Sequence, residues 1–144
     1  MDVIKQLHEL CIAENISISV AESCTSGLIA SKITSISGSS AYFKGGIIAY
    51  QNEIKVNFLS VSQRIIDKKS EVSSEVVEQM ALNVQDKFNS DFSLATSGYA
   101  GPLGGTEKKP VGTVFIAIAT KSEVISCKFY FSGIRQAIIN QATD

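Results

Sequence analysis

Apolar residues along this chain alternate between helical spacing and short strand-like runs. Val3, Ile4, Leu7, Leu10 and Cys11 recur at intervals of three and four over residues 2–14, with Asn15 as a stop. The run Ile16-Ser17-Ile18-Ser19-Val20 predicts a buried strand over 16–21, and Leu28, Ile29 and Ala30 sit in a helix expected from about Thr25 to Ser35. Ser37–Ser40 reads as a loop and Gly45–Tyr50 as a short strand. Gln51 or Asn52 then caps a helix carrying Ile54, Val56, Phe58 and Leu59. The longest amphipathic helix spans Glu71 to Asn89, with Val76, Val77, Met80, Ala81, Val84 and Phe88 on one face, Ser73 or Ser74 as its cap and Glu75 in its first turn. Residues 92–97 read as a strand that enters a glycine- and proline-rich loop lasting to Gly112. Thr113–Thr120 and Val124–Phe131 form a hairpin turning at Lys121-Ser122, and a last helix begins at Gly133.

Strands and helices alternating in this way predict one α/β domain over residues 1–144. It has three layers, α/β/α, around a mixed, mostly parallel sheet with a C-terminal β-hairpin. No repeat, low-complexity segment or interdomain linker interrupts it.

Composition narrows the function more than the fold. A net charge of −1 gives no basic face for nucleic acid, so an anionic ligand must be held by local groups. No apolar run approaches the ~20 residues that span a bilayer, and the N-terminus lacks the basic and apolar regions of a signal peptide. Cys11, Cys24 and Cys127 form neither an even set nor a C-x-x-C pair, which favours reduced thiols and a cytoplasmic location. The single histidine, His8, lies within the first helical pattern, far in sequence from every polar cluster. Scattered His and Cys residues give no zinc site, and the base of a hydroxyl nucleophile is then lysine or a carboxylate.

Three segments carry candidate chemistry. The first is the junction Ala21-Glu22-Ser23-Cys24-Thr25-Ser26-Gly27, where a strand runs straight into a helix and presents hydroxyls and backbone N–H groups beyond the strand's carboxyl end. Ser23, Thr25 and Ser26 serve equally as helix caps, so capping and catalysis both stand on this segment alone. The second is Gly98–Pro110, with Gly98, Gly101, Gly104 and Gly105 able to bring backbone close to a ligand and Lys108 and Lys109 able to add charge. It reads either as a binding loop or as a structural turn before the hairpin. The third is Tyr50-Gln51-Asn52-Glu53-Ile54-Lys55, unremarkable by itself.

Taken together these segments resemble a known family. Residues 21–28 (AESCTSGL), 38–46 (GSSAYFKGG), 49–55 (AYQNEIK), 72–77 (VSSEVV) and 97–113 (SGYAGPLGGTEKKPVGT) are similar, in order and spacing, to the CinA C-terminal domain family, which includes the nicotinamide-nucleotide amidases. The resemblance runs from about residue 3 to the end. It implies hydrolysis of nicotinamide mononucleotide to nicotinic acid mononucleotide and ammonia at a Ser–Lys site needing no metal or cofactor. Carried over by position, Ser23 is the nucleophile, Lys55 the base and Tyr50 a polar group orienting them. Backbone N–H groups of Thr25, Ser26 and Gly27 would form the oxyanion hole. Phe131-Ser132-Gly133-Ile134-Arg135 is similar to the family's Phe-Ser-Gly-Asp-Arg. That places Arg135, with the glycine loop and Lys108, around the nucleotide phosphate. Cys24 is the rival nucleophile to Ser23, because neighbouring residues at a strand end face opposite sides.

The chain departs from the family pattern at Ser26, usually glycine, at Tyr99 and Leu103 in the loop, at Ile134, usually aspartate, and at Ile139, commonly arginine. Two function classes follow: an amidase acting on this or a closely related nucleotide, or a nucleotide-binding or regulatory module that kept the pocket without the catalysis. The resemblance also implies a homo-oligomer, with Ala41-Tyr42-Phe43 at an interface or a nicotinamide pocket. Full-length members carry a large N-terminal domain, so this chain corresponds to a stand-alone form or an excised domain.

Overall fold

The computed structural model describes residues 2–144. Their order is α1 (Val3–Glu14), β1 (Ile18–Glu22), α2 (Leu28–Ile33), a 3-10 turn (Ser39–Ala41), β2 (Phe43–Ile48), α3 (Asn52–Leu59), α4 (Gln63–Lys69), α5 (Ser74–Phe88), β3 (Phe92–Gly98), β4 (Thr113–Ala119), β5 (Val124–Tyr130) and α6 (Arg135–Thr143). The five strands form one sheet in the order β2-β1-β3-β4-β5. β1 pairs in parallel with β2 and β3, while β3–β4 and β4–β5 are antiparallel, so β4 alone runs against the others. The sheet is therefore mixed, and the hairpin adds its antiparallel half.

Side-chain size explains the layering. On one sheet face the strands present Ala21, Ala95, Ala117 and Ala119, and α5 lays Val76, Val77, Met80, Ala81 and Val84 against them. Small strand residues let the helix approach closely. Ser19 and Ser93 use that proximity to donate to the α5 carbonyls of Val84 (3.4 Å) and Ala81 (2.6 Å). Leu59 of α3 and Ile66 of α4 complete this layer. On the other face, Ile18, Val20 and Leu94 pack with Leu7 and Cys11 of α1 and Ile29 and Ile33 of α2, while Val114 and Ile116 pack with Ile138 and Ala142 of α6.

Helix ends follow local chemistry. Ser73 caps α5 by accepting the Val76 N–H at 3.3 Å, and Asn15 ends α1 in the left-handed region at φ 52°. α2 begins three residues later than its sequence pattern predicts, because Ser26 and Gly27 adopt φ of 51° and 98°, which no helix contains. At position 26 the serine carries its Cβ in a region that glycine enters more freely. α4 has no counterpart in the sequence reading. It is only seven residues long, with Ser62 accepting the Ile65 N–H at 3.3 Å as its cap.

α6 starts at Arg135, with Ile134 at its N-cap position making no side-chain bond to the first turn. An aspartate there would accept one of the free N–H groups. Ile134→Asp is thus expected to raise stability by about 0.5–1.5 kcal/mol, read by urea unfolding at unchanged m-value. No helix among the described residues is long and apolar enough to cross a membrane.

Candidate active site

The strand order reverses beside β1. Its crossover through α2 leads to β2 on one side, whereas β3 lies on the other. Chain segments leaving the carboxyl ends of β1 and β2 therefore diverge to opposite faces, α2 to one and α3–α5 to the other, opening the crevice where ligands bind in open α/β sheets. A cavity of about 380 Å³ occupies that crevice, within the size range of small-molecule sites. Ser23 and Cys24 enter it from β1, Tyr50 to Asn52 and Lys55 from β2–α3, Ser97 to Gly101 from β3, Glu71 from the α4–α5 turn and Arg135 from α6.

At its centre Lys55 Nζ lies 3.1 Å from Ser23 Oγ and 3.0 Å from the Tyr50 carbonyl, donating to both. Lys55 is 1% exposed, one of the largest fully buried side chains in the protein. Burial pushes its pKa below the ordinary lysine value, and Glu71 and Cys24 only partly oppose that. Cys24 also lines the cavity, but burial pushes its thiol up to about 11, which keeps it protonated near neutrality. Of the two rival nucleophiles, only Ser23 has Lys55 within hydrogen-bond distance among the bonds of the described residues.

The junction is held by Glu22, which the sequence pattern did not single out. Its buried carboxylate accepts Thr25 Oγ1–H at 2.6 Å and the Ile29 N–H at 2.9 Å on one oxygen, and the Ala30 N–H at 3.0 Å on the other. With its only proton given to Glu22, Thr25 Oγ1 accepts from Thr96 Oγ1 at 2.9 Å. The Ser23 N–H in turn donates to the Thr96 carbonyl at 3.1 Å. A chain of bonds thus runs from the first turn of α2, through Glu22 and the two threonines, to the backbone of Ser23. An acidic residue inside a Ser/Thr-rich strand-to-helix junction was the available sequence signal.

Several site residues take other places than the sequence led us to expect. Tyr50 points its exposed hydroxyl at Arg135, accepting from Nη2 at 2.7 Å; it orients Lys55 through its backbone carbonyl. Thr25 is turned inward onto Glu22, and the Ser26 N–H is committed to the Ser23 carbonyl at 3.1 Å. At this junction the cavity wall is made by Ser23 and Cys24, with Thr25, Ser26 and Gly27 behind it. Gly98 and Gly101 line the cavity, but Gly104 and Gly105 do not. A Cβ on Gly105 would sit 2.8 Å from the Val111 backbone nitrogen, so this glycine serves the folding of the loop on itself. Lys108 lines a neighbouring cleft, and Lys109 is tied to the Lys69 and Val72 carbonyls. Arg135 does reach the cavity, donating from Nη1 to the Gly101 carbonyl at 2.7 Å.

Two other expectations change. Of Ala41-Tyr42-Phe43, Tyr42 is buried between α1 and α2, donating to the Ile33 carbonyl at 3.2 Å and bonded to His8 Nδ1 at 3.1 Å, so only Ala41 and part of Phe43 reach the surface. Ile139 packs into the α6 cluster, where an apolar side chain serves the core.

The fold and crevice define an α/β domain with a buried Ser–Lys pair at a topological switch point. The family model of the CinA C-terminal domain matches residues 1–144, and the chain belongs to that family. It is 52% identical over 136 residues to a CinA-like protein of Flavobacterium psychrophilum, covering 94% of this chain and 32% of that protein. It is 47% identical over 137 residues to one of Fervidobacterium nodosum, covering 95% and 34%. The chain therefore spans about a third of the length of these curated relatives. Among solved structures, a competence-damaged protein (CinA) superfamily protein of Escherichia coli superposes with a TM-score of 0.93 at 30% identity, covering 97% of this chain and 81% of that one. The competence/damage inducible protein CihA of Agrobacterium tumefaciens superposes at 0.90 with 32% identity, covering 99% and 90%.

Proposed function

We propose that this domain is a nicotinamide-nucleotide amidase that hydrolyses the carboxamide of nicotinamide mononucleotide through a serine nucleophile and a lysine base. The observation that carries this reading is Lys55, fully buried, shifted toward its neutral form and 3.1 Å from Ser23 Oγ at the base of a ligand-sized crevice. A buried amine is the base that a serine needs in the absence of a nearby histidine.

As a neutral amine, Lys55 accepts the Ser23 Oγ proton while Oγ bonds to the carboxamide carbon and the C=O electrons move onto oxygen. The backbone N–H of Cys24, the residue after the nucleophile, is the donor we assign to that oxyanion. Collapse of the intermediate breaks the C–N bond as the Lys55 ammonium gives its proton to the departing nitrogen, releasing ammonia. Water then attacks the acyl-serine and passes a proton to Lys55, and Ser23 regains its proton as nicotinic acid mononucleotide forms. Arg135, oriented by Tyr50 and Gly101, has donors left over for the phosphate.

The direct test is ammonia release from nicotinamide mononucleotide by wild type, Ser23→Ala and Cys24→Ala. Turnover by wild type and Cys24→Ala but not by Ser23→Ala supports a serine amidase. A folded wild type that binds the nucleotide without turnover identifies a binding module instead.

The lowered Lys55 pKa also sets a pH dependence. Activity is expected to rise with pH through that pKa and level off below the ordinary lysine value of ~10.4. Stability follows the same sign. Between the folded and unfolded pKa values the unfolded chain binds more protons, so the contribution of Lys55 to stability grows as pH rises across that window and is constant below it. Thermal melts of wild type and Lys55→Met from pH 6 to 10 check this, because the substitution removes that slope.

A further inference from the structure

The crevice contains a charge that the catalytic reading does not use. Glu71 is the one carboxylate among the residues lining the cavity, whose wall also holds the basic residues Lys55 and Arg135. It is half-buried on the turn between α4 and α5 and makes neither of the ion pairs found among the described residues. Among the described residues its carboxylate takes only a long bond, from Ser70 Oγ at 3.4 Å; the 2.8 Å bond from Ser97 Oγ goes to its backbone carbonyl. The side chain therefore has little structural work in the free protein.

For a neutral amide substrate this placement is a disadvantage. A carboxylate near the base favours the ammonium form and opposes the burial that makes Lys55 a base. The balance changes when the substrate carries a positive charge close to its amide. In an N-substituted nicotinamide the ring nitrogen is quaternary and cationic, and it lies only three bonds from the carboxamide carbon. With that carbon at Ser23 Oγ, the ring charge must sit inside the cavity that Glu71 lines. A nucleotide of this kind is a zwitterion, a cationic ring joined to an anionic phosphate. The cavity offers the complementary arrangement of one acid beside the reacting pair and Arg135 at the glycine-loop side.

We propose that Glu71 is the specificity-determining residue of this crevice, selecting a carboxamide borne on a cationic pyridinium ring over the same amide on a neutral ring. The inference rests on the amidase reading above and names the feature of the substrate that its site recognises. It has a second consequence. The groups facing Lys55 are Ser23 and Cys24 from the β1–α2 junction, the Tyr50 carbonyl ahead of α3, and Glu71 from the α4–α5 turn. Of these Glu71 alone is a carboxylic side chain, and it favours the protonated form of Lys55, so a bound cation offsets its hold on that proton. The correct substrate thereby helps to free its own base.

The test compares nicotinamide mononucleotide with its neutral isostere, the benzamide C-ribonucleotide in which carbon replaces the ring nitrogen. Dissociation constants for both are measured by calorimetry on wild type, Glu71→Gln and the charge-conserving Glu71→Asp. Wild type is expected to favour the cationic ligand about tenfold, Glu71→Gln to bring the ratio close to one by weakening that ligand alone, and Glu71→Asp to retain part of the preference. A ratio unchanged in Glu71→Gln, or equal weakening of both ligands, would overturn the proposal. Ammonia release by wild type is read separately. Bound nucleotide without turnover ends the amidase reading while the binding ratio still decides the role of Glu71, and failure of both ligands to bind ends both.

Discussion

Ser23→Ala is expected to lower ammonia release from nicotinamide mononucleotide by at least about 10³-fold while shifting the melting temperature by no more than ~2–4 °C. The loss is large because Ser23 Oγ is the hydroxyl that Lys55 Nζ reaches, at 3.1 Å, and no base can activate a group that is absent. The thermal effect is small because the Ser23 backbone, not its side chain, holds the junction through the Thr96 carbonyl. Lys55→Met should be as inactive as Ser23→Ala, and the double variant no worse than either, since nucleophile and base act as a unit. Cys24→Ala is the discriminating control. Its thiol, pushed up to about 11, is not a thiolate at neutral pH, so its removal should leave most of the rate. A dead Cys24→Ala beside an active Ser23→Ala would reverse the assignment of the nucleophile.

Glu22→Gln is expected to produce the largest stability loss, about 2–4 kcal/mol. All three partners of the carboxylate are donors: the Thr25 hydroxyl and the Ile29 and Ala30 N–H groups. A glutamine offers one acceptor oxygen and one donating NH2, so whichever way it turns, a buried donor faces a donor. Relaxation of the first turn of α2 would then loosen the threonine chain behind Ser23. Urea unfolding measures the stability, and activity below the unfolding transition measures the effect on Ser23. A variant with wild-type stability would show that Glu22 does not clamp the junction. Glu22→Asp, which keeps the acceptors but shortens the reach, should fall between the two.

Much of this site was legible in linear form because each of its parts lies at the end of a strand. Ser23 follows β1, Tyr50 and Lys55 follow β2, and Gly98 ends β3 with Gly101 just beyond it. An alternating α/β pattern brings such ends to one edge of the sheet, so the three polar segments could be expected to meet. What the pattern could not supply was direction within each segment. Tyr50 was expected to be a polar group orienting the reacting pair; its carbonyl takes Lys55, while its hydroxyl goes to Arg135. Gly104 and Gly105 share a motif with Gly98 and Gly101 yet lie outside the cavity wall, because a loop bent by positive φ at positions 101, 104 and 105 changes direction within a few residues. α4 escaped because seven residues hold too few apolar positions to establish a helical period.

The local chemistry of this protein is written in its sequence: alternating periods define the layers, serine caps and left-handed asparagines mark the helix ends, and small residues on one strand face admit α5. Burial was settled only by the fold. Lys55 reads as an ordinary surface lysine at a helix start. It becomes a base because packing of α3 and α5 beneath the β1–α2 junction removes it from water, and desolvation is a property of the surroundings, not of the residue. The same holds for Cys24, whose thiol is raised by burial among segments that include Thr96 and Lys55, tens of residues away. A sequence records which groups exist and how their own stretch of chain folds; which of them share one dry crevice is decided by long-range packing.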